Sequence, residues 1–314
     1  MLTAELLHPR GTLTLSRPGT SDPTLRAWDA ADERLLEEAI PVCDALEVPR
    51  VLVVDDQFGA LSLGLSCFSP VVVADSAALP AALAKNASLN PDPAMPDRLH
   101  SWIDPPKGPF DLVVLRIPRQ AAYLEWLLRW VNSVMSDSGV LLAGGMIKHL
   151  PAKSVDVFAD VVTTEQVLPA RKKARVIRCR KGAAMLDGWS GVWKGYVLAR
   201  AGNRKVEAMP AVFAREQLDI GSRLLLPHVS RAAAKSEQGT RVLDLACGNG
   251  VLGLTALAER QDLQLCFADV SSHALLSARR NVERAFPAAD SVFVHGDGID
   301  PSLGFFDLIL LNPP

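Results

Sequence analysis

Residues 240–254, TRVLDLACGNGVLGL, decide the fold of this chain. The largely apolar run 242–245 is typical of a strand buried in a parallel sheet, and the apolar segment after the glycines predicts a helix. Between them, Gly248 and Gly250 allow the backbone to turn sharply and to approach a ligand closely. The segment therefore predicts a strand, a ligand-binding loop and the start of a helix in an α/β domain.

Two kinds of cofactor are compatible with these glycines. Together with Gly253 they match the G-x-G-x-x-G pattern of dinucleotide-binding proteins. Asp244, however, places a carboxylate at the end of the strand, which suits a cationic ligand and would repel a pyrophosphate. The order Asp-x-Ala-x-Gly-x-Gly, with Ala246 in its third position, resembles the first motif of S-adenosylmethionine-dependent methyltransferases. The resemblance implies a loop that binds S-adenosylmethionine, and a glycine-rich turn without a ligand is the alternative.

An acid follows at the distance expected for a ribose contact. Asp269 ends a second apolar run, 263–268, about 20 residues after the glycines, where an acid at a strand tip can bind ribose hydroxyls. A helix cap at Asp269, ahead of the helical segment 273–284, is the alternative.

Residues 306–314, FDLILLNPP, predict a third strand. Two prolines stop both a strand ladder and a helix, so Asn312 should lie on a rigid turn at the carboxyl edge of the sheet, where ligands bind. The order Asn312-Pro313-Pro314 resembles the fourth motif of methyltransferases that modify exocyclic amino groups of nucleobases or glutamine amides. A nicotinamide oxidoreductase, the other interpretation of the glycines, leaves this motif unexplained.

The composition indicates a globular protein with reduced cysteines. The 314 residues suffice for two domains, and 49% apolar with 22% charged residues is ordinary for such a chain. No apolar run is long enough to span a bilayer, and the N-terminus has no signal-peptide pattern. The five cysteines are scattered without a C-x-x-C pair, so we expect no disulfide framework, no metal site and a cytoplasmic location. With a net charge of −2, any binding of nucleic acid must depend on a local basic patch.

The chain contains a weak internal duplication. Three pairs of segments agree in order and approximately in spacing: 50–63 with 241–254, 71–76 with 266–271, and 110–118 with 306–314. Chance similarity between apolar strands is the alternative, but three matches in register argue against it. We therefore predict an α/β fold of two tandem Rossmann-like domains with the class I methyltransferase plan, each a parallel sheet covered by helices on both faces.

The first copy has lost the residues of the predicted ligand site. The positions of Gly248, Asp244 and Asn312 are taken in the first copy by Gln57, Val53 and Arg116. Asp75 remains, but one acid cannot hold a cofactor. We therefore expect a degenerate N-terminal domain, residues 1–200, that binds RNA or supports its neighbour, and a catalytic domain that begins at residue 240.

The connector between the two copies, residues 201–239, contains an apolar stripe at 212–229 behind Asp219 and Gly221. This stretch resembles the segment that precedes the first motif in such enzymes and packs over the cofactor. Asp219 and Arg223 are candidate site residues, with a helix cap and an exposed arginine as the alternative.

The repeat also indicates where the second copy stops. In the first copy we expect a helix at 121–135, a strand at 139–143, a helix near 155–162, and a strand pair through 176–177 and 196–199. The second copy, residues 240–314, has no counterpart of residues 119–200. A sheet cut there would expose an apolar edge, so we expect an incomplete catalytic domain and a natural protein of about 390 residues.

Residues 171–181, RKKARVIRCRK, contain seven basic side chains and no acid. Such a cluster can neutralise several phosphates, and a solvated edge strand protected by its charges is the alternative. The candidate RNA-binding residues are Arg171, Lys172, Lys173, Arg175 and Arg178. Trp189 and Trp193, close to this segment, are candidates for stacking on bases, whereas the helical spacing of Trp126 and Trp130 indicates core positions.

Nearly the whole chain resembles the RlmG/RsmC group of bacterial ribosomal RNA guanine-N2 methyltransferases, which combine a degenerate N-terminal domain with a catalytic one. The stretches 25–36, 55–62, 172–177 and 218–225 are similar to the large-subunit branch, RlmG. Two features depart from the pattern. Ala246 stands where the family usually has glycine, and the family's phenylalanine after the second proline has no counterpart here, so the aromatic that stacks on the base cannot be assigned.

The resemblance implies methyl transfer from S-adenosylmethionine to the exocyclic N2 of a guanine in 23S ribosomal RNA. The side-chain oxygen of Asn312 and the backbone carbonyl of Pro313 would each accept a hydrogen from that amine. The cofactor contacts would come from Asp244, Ala246, Gly248 and Gly250 at the methionine end, Asp269 at the ribose and Asp297 at the adenine amino group. The base must be unpaired or flipped out to reach such a site.

Several alternatives remain open from the residues alone. The target could be 16S instead of 23S ribosomal RNA, or the chain could be an RNA-binding protein without catalytic activity. Methylation of a protein glutamine also uses Asn-Pro-Pro, although the duplicated domain and the basic run favour RNA. We expect a monomer that does not interact with membranes.

Overall fold

The computed structural model describes residues 2–91, 95–96 and 98–312. The chain divides into two compact units, Met1–Trp189 and Ser190–Pro314, so the division lies ahead of residue 200, the boundary expected from the repeat. No helix among the described residues is both long and apolar enough to cross a bilayer.

The first unit consists of a small hairpin and a larger mixed sheet. Its strands are β1 (Ala4–His8), β2 (Gly11–Leu15), β3 (Val51–Val54), β4 (Val71–Val73), β5 (Leu99–His100), β6 (Phe110–Arg116), β7 (Met135–Met146), β8 (Thr163–Val167) and β9 (Ala174–Arg180). Its helices are α1 (Ala30–Asp44), α2 (Ala60–Gly64), α3 (Leu79–Ala87), α4 (Ala121–Val134) and α5 (Ser154–Val161).

Within the described residues, the large sheet has the order β5-β4-β3-β6-β7-β9-β8. Strands β3 to β7 are parallel, and β9 is antiparallel to both β7 and β8. The expectation of a fully parallel sheet is therefore wrong for the last two strands. The connection between β8 and β9 is too short for a crossover, so the two strands can only pair antiparallel.

Helix α4 shows why the periodic segments fold as predicted. Leu124, Leu127, Leu128 and Val131 are completely buried, as expected for residues that share one face of a helix. The tryptophans of this helix, Trp126 and Trp130, are also buried, and each ring centroid lies 4.8 Å from that of Trp102 in an edge-on arrangement. Their core positions are confirmed.

The second unit repeats the start of this plan. Its strands are β10 (Lys194–Leu198), β11 (Arg204–Ala208), β12 (Arg241–Leu245), β13 (Gln264–Asp269), β14 (Ser291–His295) and β15 (Leu308–Leu311). Its helices are α6 (Ile220–Lys235), α7 (Val251–Glu259) and α8 (Ser272–Ala285). The described part of its sheet is fully parallel in the order β14-β13-β12-β15, which corresponds to β5-β4-β3-β6 of the first unit.

Backbone hydrogen bonds confirm the duplication residue by residue. Val51 pairs with Leu112 between β3 and β6, and the matching Val242 pairs with Leu308 between β12 and β15. Beside these pairs, the carboxylate of Asp111 accepts a hydrogen bond from the Arg50 amide, as Asp307 does from the Arg241 amide. The two units thus share strand register as well as strand order.

The repeat begins earlier than the sequence indicated. Strand β10 pairs with β11 in a hairpin that precedes α6, as β1 and β2 form a hairpin that precedes α1. The expected pairing of 176–177 with 196–199 is wrong, because β9 pairs with β7 and β8 instead. Strand β11 was not predicted from the sequence, and it is the strand that pairs with β10 across the short connection 199–203.

One asparagine in each unit fastens this hairpin to the loop after the first sheet strand. Asn86 accepts from the Ser16 amide at 2.8 Å and donates to the Phe58 carbonyl at 2.7 Å. Asn281 accepts from the Glu207 amide and donates to the Asn249 carbonyl, both at 2.9 Å. Since Phe58 and Asn249 occupy matching loop positions, this bridge positions the glycine loop of the second unit.

Candidate active site

A cavity of about 260 Å³ lies at the carboxyl ends of β12, β13 and β15. The predicted site residues that line it are Asp244, Ala246, Gly248, Asp269 and Asn312. The structure thus brings these five predicted residues together at the strand tips. The remaining lining residues come from the glycine loop itself, from the loop 211–214, from Asp219 and Ser222 at the start of α6, from the segment after β13, and from the starts of α7 and α8.

The glycine loop has a left-handed backbone at alternate positions. Ala246, Gly248 and Gly250 have φ values of 53°, 55° and 81°. Ala246 is strained there by about 1 kcal/mol, since only glycine adopts this region freely. Gly250 does not line the cavity; it precedes α7, and a Cβ atom at this position would lie 3.3 Å from the Ala278 backbone. Its role is therefore to shape the loop.

Asp244 is a buried carboxyl group at the floor of the cavity. Its side chain is 1% exposed and accepts one hydrogen bond, from the Gly253 amide at 2.8 Å. Burial raises the pKa of Asp244 to about 8, and the hydrogen bond from Gly253 only partly opposes this rise. A cationic ligand in the cavity would favour the ionised carboxylate.

Asp269 joins the second strand to the glycine loop. Its carboxylate accepts from the Gly248 amide and from the Ser271 amide, each at 2.9 Å. The N-cap of α8 is Ser271, whose side chain accepts from the Ala274 amide, so the cap that was the alternative role for Asp269 belongs to Ser271. Asp269 stays at the cavity wall.

Asn312 is held by the start of α6. Its amide nitrogen donates to the Asp219 carboxylate at 3.3 Å and to the Ser222 hydroxyl at 3.0 Å. Asp219 is also the N-cap of this helix, where it accepts from the Ser222 amide at 3.0 Å. Burial alone would raise the pKa of Asp219, but the hydrogen bonds from Ser222 and Asn312 lower it below its usual value.

Besides Gly250, two candidate positions, Asp297 and Arg223, do not line the described cavity. Pro313 lies outside the described residues. Asp297 is exposed in the loop after β14 and does not line the cavity. Arg223, on the first turn of α6, is likewise absent from the wall. The exposed-arginine interpretation fits Arg223 better.

The cavity also includes residues that the sequence did not single out. Phe213 is 62% exposed and lines the cavity from a loop in which Ala211 and Ala214 both have positive φ. The only signal for this loop was its position in the segment 212–229, ahead of the first motif. Alanines give no indication of a left-handed backbone, so the loop geometry could not be predicted.

The matching strand tip in the first unit carries an ion cluster instead of an amide. Arg116, at the tip of β6, donates to both carboxylate oxygens of Asp29 at 2.9 Å and lies 3.2 Å from Asp32. The pairing of β3 with β4 matches Asp269 to Ala74, so Asp75 is displaced by one residue from the ribose position. This register is the one predicted by aligning 71–76 with 266–271, and Asp75, the acid that remains in the first copy, corresponds to Val270.

The basic run is largely neutralised within its own unit. Ion pairs join Arg171 to Glu37, Lys172 to Glu33, both Arg178 and Arg180 to Glu165, and Lys181 to Asp137. Lys173 and Arg175 form no ion pair with a described residue. Of the two candidate stacking rings, Trp189 is covered by Arg129 at 4.9 Å and Trp193 by Arg280 at 4.5 Å, so one face of each ring is occupied.

Two family models match the chain along its two units. Residues 3–183 match the RLMG N-terminal domain, and residues 203–314 match the methyltransferase small domain. The first match alone spans more than half of the chain. The chain belongs to the RlmG family.

Individual relatives agree with this assignment. The chain is 36% identical over 316 aligned residues to the ribosomal RNA large subunit methyltransferase G of Alcanivorax borkumensis, covering 98% of this chain and 79% of the relative. The Klebsiella pneumoniae enzyme of the same name is 32% identical, with coverage of 100% and 81%. The RlmG family member described here therefore matches its relatives across both units.

A solved structure shares the fold. The T. thermophilus 16S rRNA N2 G1207 methyltransferase, RsmC, in complex with AdoMet and guanosine, superimposes with a TM-score of 0.69 at 22% identity. The match covers 100% of this chain and 80% of that one. The two-unit α/β methyltransferase fold predicted from the sequence is confirmed for this RlmG family member.

Proposed function

We propose that this RlmG family member transfers a methyl group from S-adenosylmethionine to the exocyclic N2 of a guanine in 23S ribosomal RNA. The observation that carries the proposal is one cavity in which Asp244, Asp269 and Asn312 meet at adjacent strand tips. Relatives named as large subunit methyltransferases support the 23S target. RsmC, named as an N2 methyltransferase of guanine, supports the reacting atom.

The residues of the cavity fit a sulfonium cofactor. Asp244 is a buried carboxyl group that accepts a hydrogen bond from the Gly253 amide and has no cation beside it among the described residues. The ammonium group of a ligand would supply the positive charge that stabilises the ionised carboxylate. Gly248 leaves open space where a side chain would begin, which permits close approach of a ligand to the loop. Asp269 would hold the ribose, and we assign the adenine amino group to Asp297 only because its loop lies at the same sheet edge.

The bound cofactor would supply an electrophilic methyl group. The guanine amine is a poor nucleophile because its lone pair is delocalised into the ring. The side-chain oxygen of Asn312 would accept a hydrogen bond from one N–H of this amine. The backbone carbonyl of Pro313 would accept a hydrogen bond from the other. This contact fixes the amine in one orientation, and positioning of that kind can supply up to roughly 7–11 kcal/mol of barrier reduction in well-oriented systems.

Ribosomal RNA would reach the site with the target base unpaired or flipped out. We assign the phosphate contacts to Arg171, Lys172, Lys173, Arg175 and Arg178. Lys173 and Arg175 should contribute most, because Arg171, Lys172 and Arg178 already pair with glutamates. The proposed enzyme acts as a monomer, and a ribosomal substrate would place it in the cytoplasm.

Mapping of methylated guanines tests the proposal directly. Ribosomal RNA from a strain without the gene should lack one N2-methylguanine in 23S RNA by mass spectrometry, and the wild-type gene should restore it. An Asn312→Ala gene should not restore it. Loss of a 16S modification would support the small-subunit alternative instead, and unchanged 16S and 23S RNA would indicate an RNA-binding protein without this activity.

A further inference from the structure

Two residues at the start of α6 control the direction in which the Asn312 amide points. Its nitrogen faces two acceptors, the Asp219 carboxylate at 3.3 Å and the Ser222 hydroxyl at 3.0 Å. A reversed amide would place its oxygen beside the Asp219 carboxylate, and two acceptors at that distance repel each other. The surroundings therefore admit one orientation of the amide.

The other end of the amide is kept available. Asn312 Oδ1 accepts no hydrogen bond from any described residue, although Asn312 lines the cavity. A Cβ atom at residue 221 would lie 2.8 Å from this oxygen, closer than carbon and oxygen tolerate, so Gly221 leaves the room that Oδ1 occupies. Gly221 has no positive φ that would itself require glycine.

We propose that Asp219 and Ser222 are positioning residues that hold Asn312 Oδ1 toward the substrate amine, with Gly221 providing the space. The inference deepens the proposed function and depends on it. Neither residue needs to touch the substrate: each acts through the Asn312 nitrogen. An amide fixed before the substrate arrives does not have to be ordered during the reaction, which is the benefit of preorganised polar groups.

The first unit gives the inference an internal comparison. Asp29, the N-cap of α1, contacts the side chain at the tip of β6, as Asp219 contacts the tip of β15. The third position after each cap is again polar, Asp32 in one unit and Ser222 in the other, and it reaches the same tip residue. Both units therefore contain a contact between the helix cap and the strand tip. In the second unit the residue at the strand tip is Asn312.

Single substitutions in the full-length enzyme provide the first test. Ser222→Ala removes one acceptor without removing the helix cap, and the methylation kcat should fall about tenfold, as for the loss of one hydrogen bond in the transition state. The dissociation constant for S-adenosylmethionine, measured by calorimetry, should change less than about threefold. The matched control is Ser230→Ala on the same helix, because the buried Ser230 hydroxyl bonds to no described residue. Ser230→Ala should keep the wild-type kcat.

Two further variants separate positioning from stability. Asp219→Asn retains an acceptor oxygen and should keep kcat within about fivefold, whereas Asp219→Ala should lose about tenfold or more. Gly221→Ala favours helix formation, so its melting temperature should not fall, yet its kcat should fall because the new Cβ displaces the Asn312 amide. A simple structural role would instead make activity follow melting temperature.

A double-mutant cycle decides the matter. Asn312→Ala should lower kcat strongly, and Ser222→Ala should cause no further loss in that background, because its partner is gone. Additive losses, or a wild-type kcat in both Ser222→Ala and Asp219→Ala while Asn312→Ala is impaired, would overturn the positioning role alone. A wild-type kcat in Asn312→Ala would instead overturn the function proposed for the site.

Discussion

Asn312 and Asp244 sit at the tips of adjacent strands, but their surroundings suit different tasks. Asp244 is buried beneath the loop and bonds to the backbone of α7, whereas Asn312 faces the start of α6 and leaves its oxygen without a described partner. A buried acid is suited to hold a cation, and an oriented amide oxygen is suited to accept a hydrogen from an amine. The two residues should therefore be separable by experiment.

Replacement of Asn312 should lower the methylation rate without weakening the binding of S-adenosylmethionine. We expect Asn312→Ala to lower the methylation rate by about 10²- to 10³-fold, the effect typical of removing one preorganised polar group. The dissociation constant for S-adenosylmethionine should stay nearly unchanged in calorimetry. Turnover close to wild type would contradict the assigned role.

The binding of S-adenosylmethionine should depend on pH through Asp244. Because burial raises the pKa of Asp244 to about 8, the carboxyl group is mostly protonated at neutral pH and must lose its proton to pair with a cation. Affinity should therefore rise with pH up to about pH 8, by up to about tenfold per unit, and should stop rising above it, where the α-amino group of the ligand also loses its proton. Calorimetry in buffers of different ionisation heat should show proton release on binding. Asp244→Asn, which cannot titrate, should bind weakly and without this release, and an equal release from both proteins would exclude Asp244 as its source.

At the scale of elements, only some of the basic residues in strand β9 and the turn before it should contribute to RNA binding. Lys173→Ala combined with Arg175→Ala should flatten the salt dependence of RNA binding by about one unit of slope for each phosphate that is no longer neutralised. Arg180→Ala is the control on the same strand, because Arg180 already pairs with Glu165 and should change the slope less. Equal slopes for the double variant and wild-type protein would show that the run is only a solvated edge.

The ion cluster at the tip of β6 should matter for stability alone. Arg116→Ala leaves the carboxyl groups of Asp29 and Asp32 without their cation, so the free energy of unfolding should fall by about 3 kcal/mol at pH 7 in urea titrations. Burial raises the pKa of Asp32 to about 7 even beside Arg116. At pH 5 the Asp32 carboxyl is therefore almost fully protonated and no longer needs a cation, so the loss of stability should be smaller there than at pH 7. Arg10→Ala, in a solvent-exposed pair with Asp44, should lower the free energy of unfolding much less. A similar loss in both variants would contradict the difference in burial.

The elements that could be predicted from the sequence were those with a local signal. The glycine loop, the strand tips and the face of α4 follow from spacing and apolar periodicity within one segment. The partner of β10 did not, because the short strand β11, RKVEA, lacks the apolar alternation that predicts a strand. The contact between Asp219 and Asn312 spans 93 residues, and the glutamates that pair with the basic run belong to α1 and β8. Neither leaves a pattern in neighbouring sequence.

At the scale of the whole molecule, one S-adenosylmethionine should bind per chain. The first unit has a cavity of about 350 Å³ at the matching strand tips, but it is lined by Gln57 and Arg116 in place of a glycine and an amide. Calorimetry of the full-length protein should therefore give a stoichiometry near one, and Asp244→Ala should remove measurable binding. A stoichiometry near two would show that the first unit has kept a cofactor site.

The charged tip of β6 has a consequence for how such a molecule evolves. A single Arg116→Asn replacement would leave two acids, Asp29 and Asp32, beside a side chain that cannot neutralise them. Converting this tip into an amide like that of the second unit would therefore require Asp29 and Asp32 to be replaced as well. Selection for stability would thus preserve the ion cluster, and with it the absence of an amide at this strand tip.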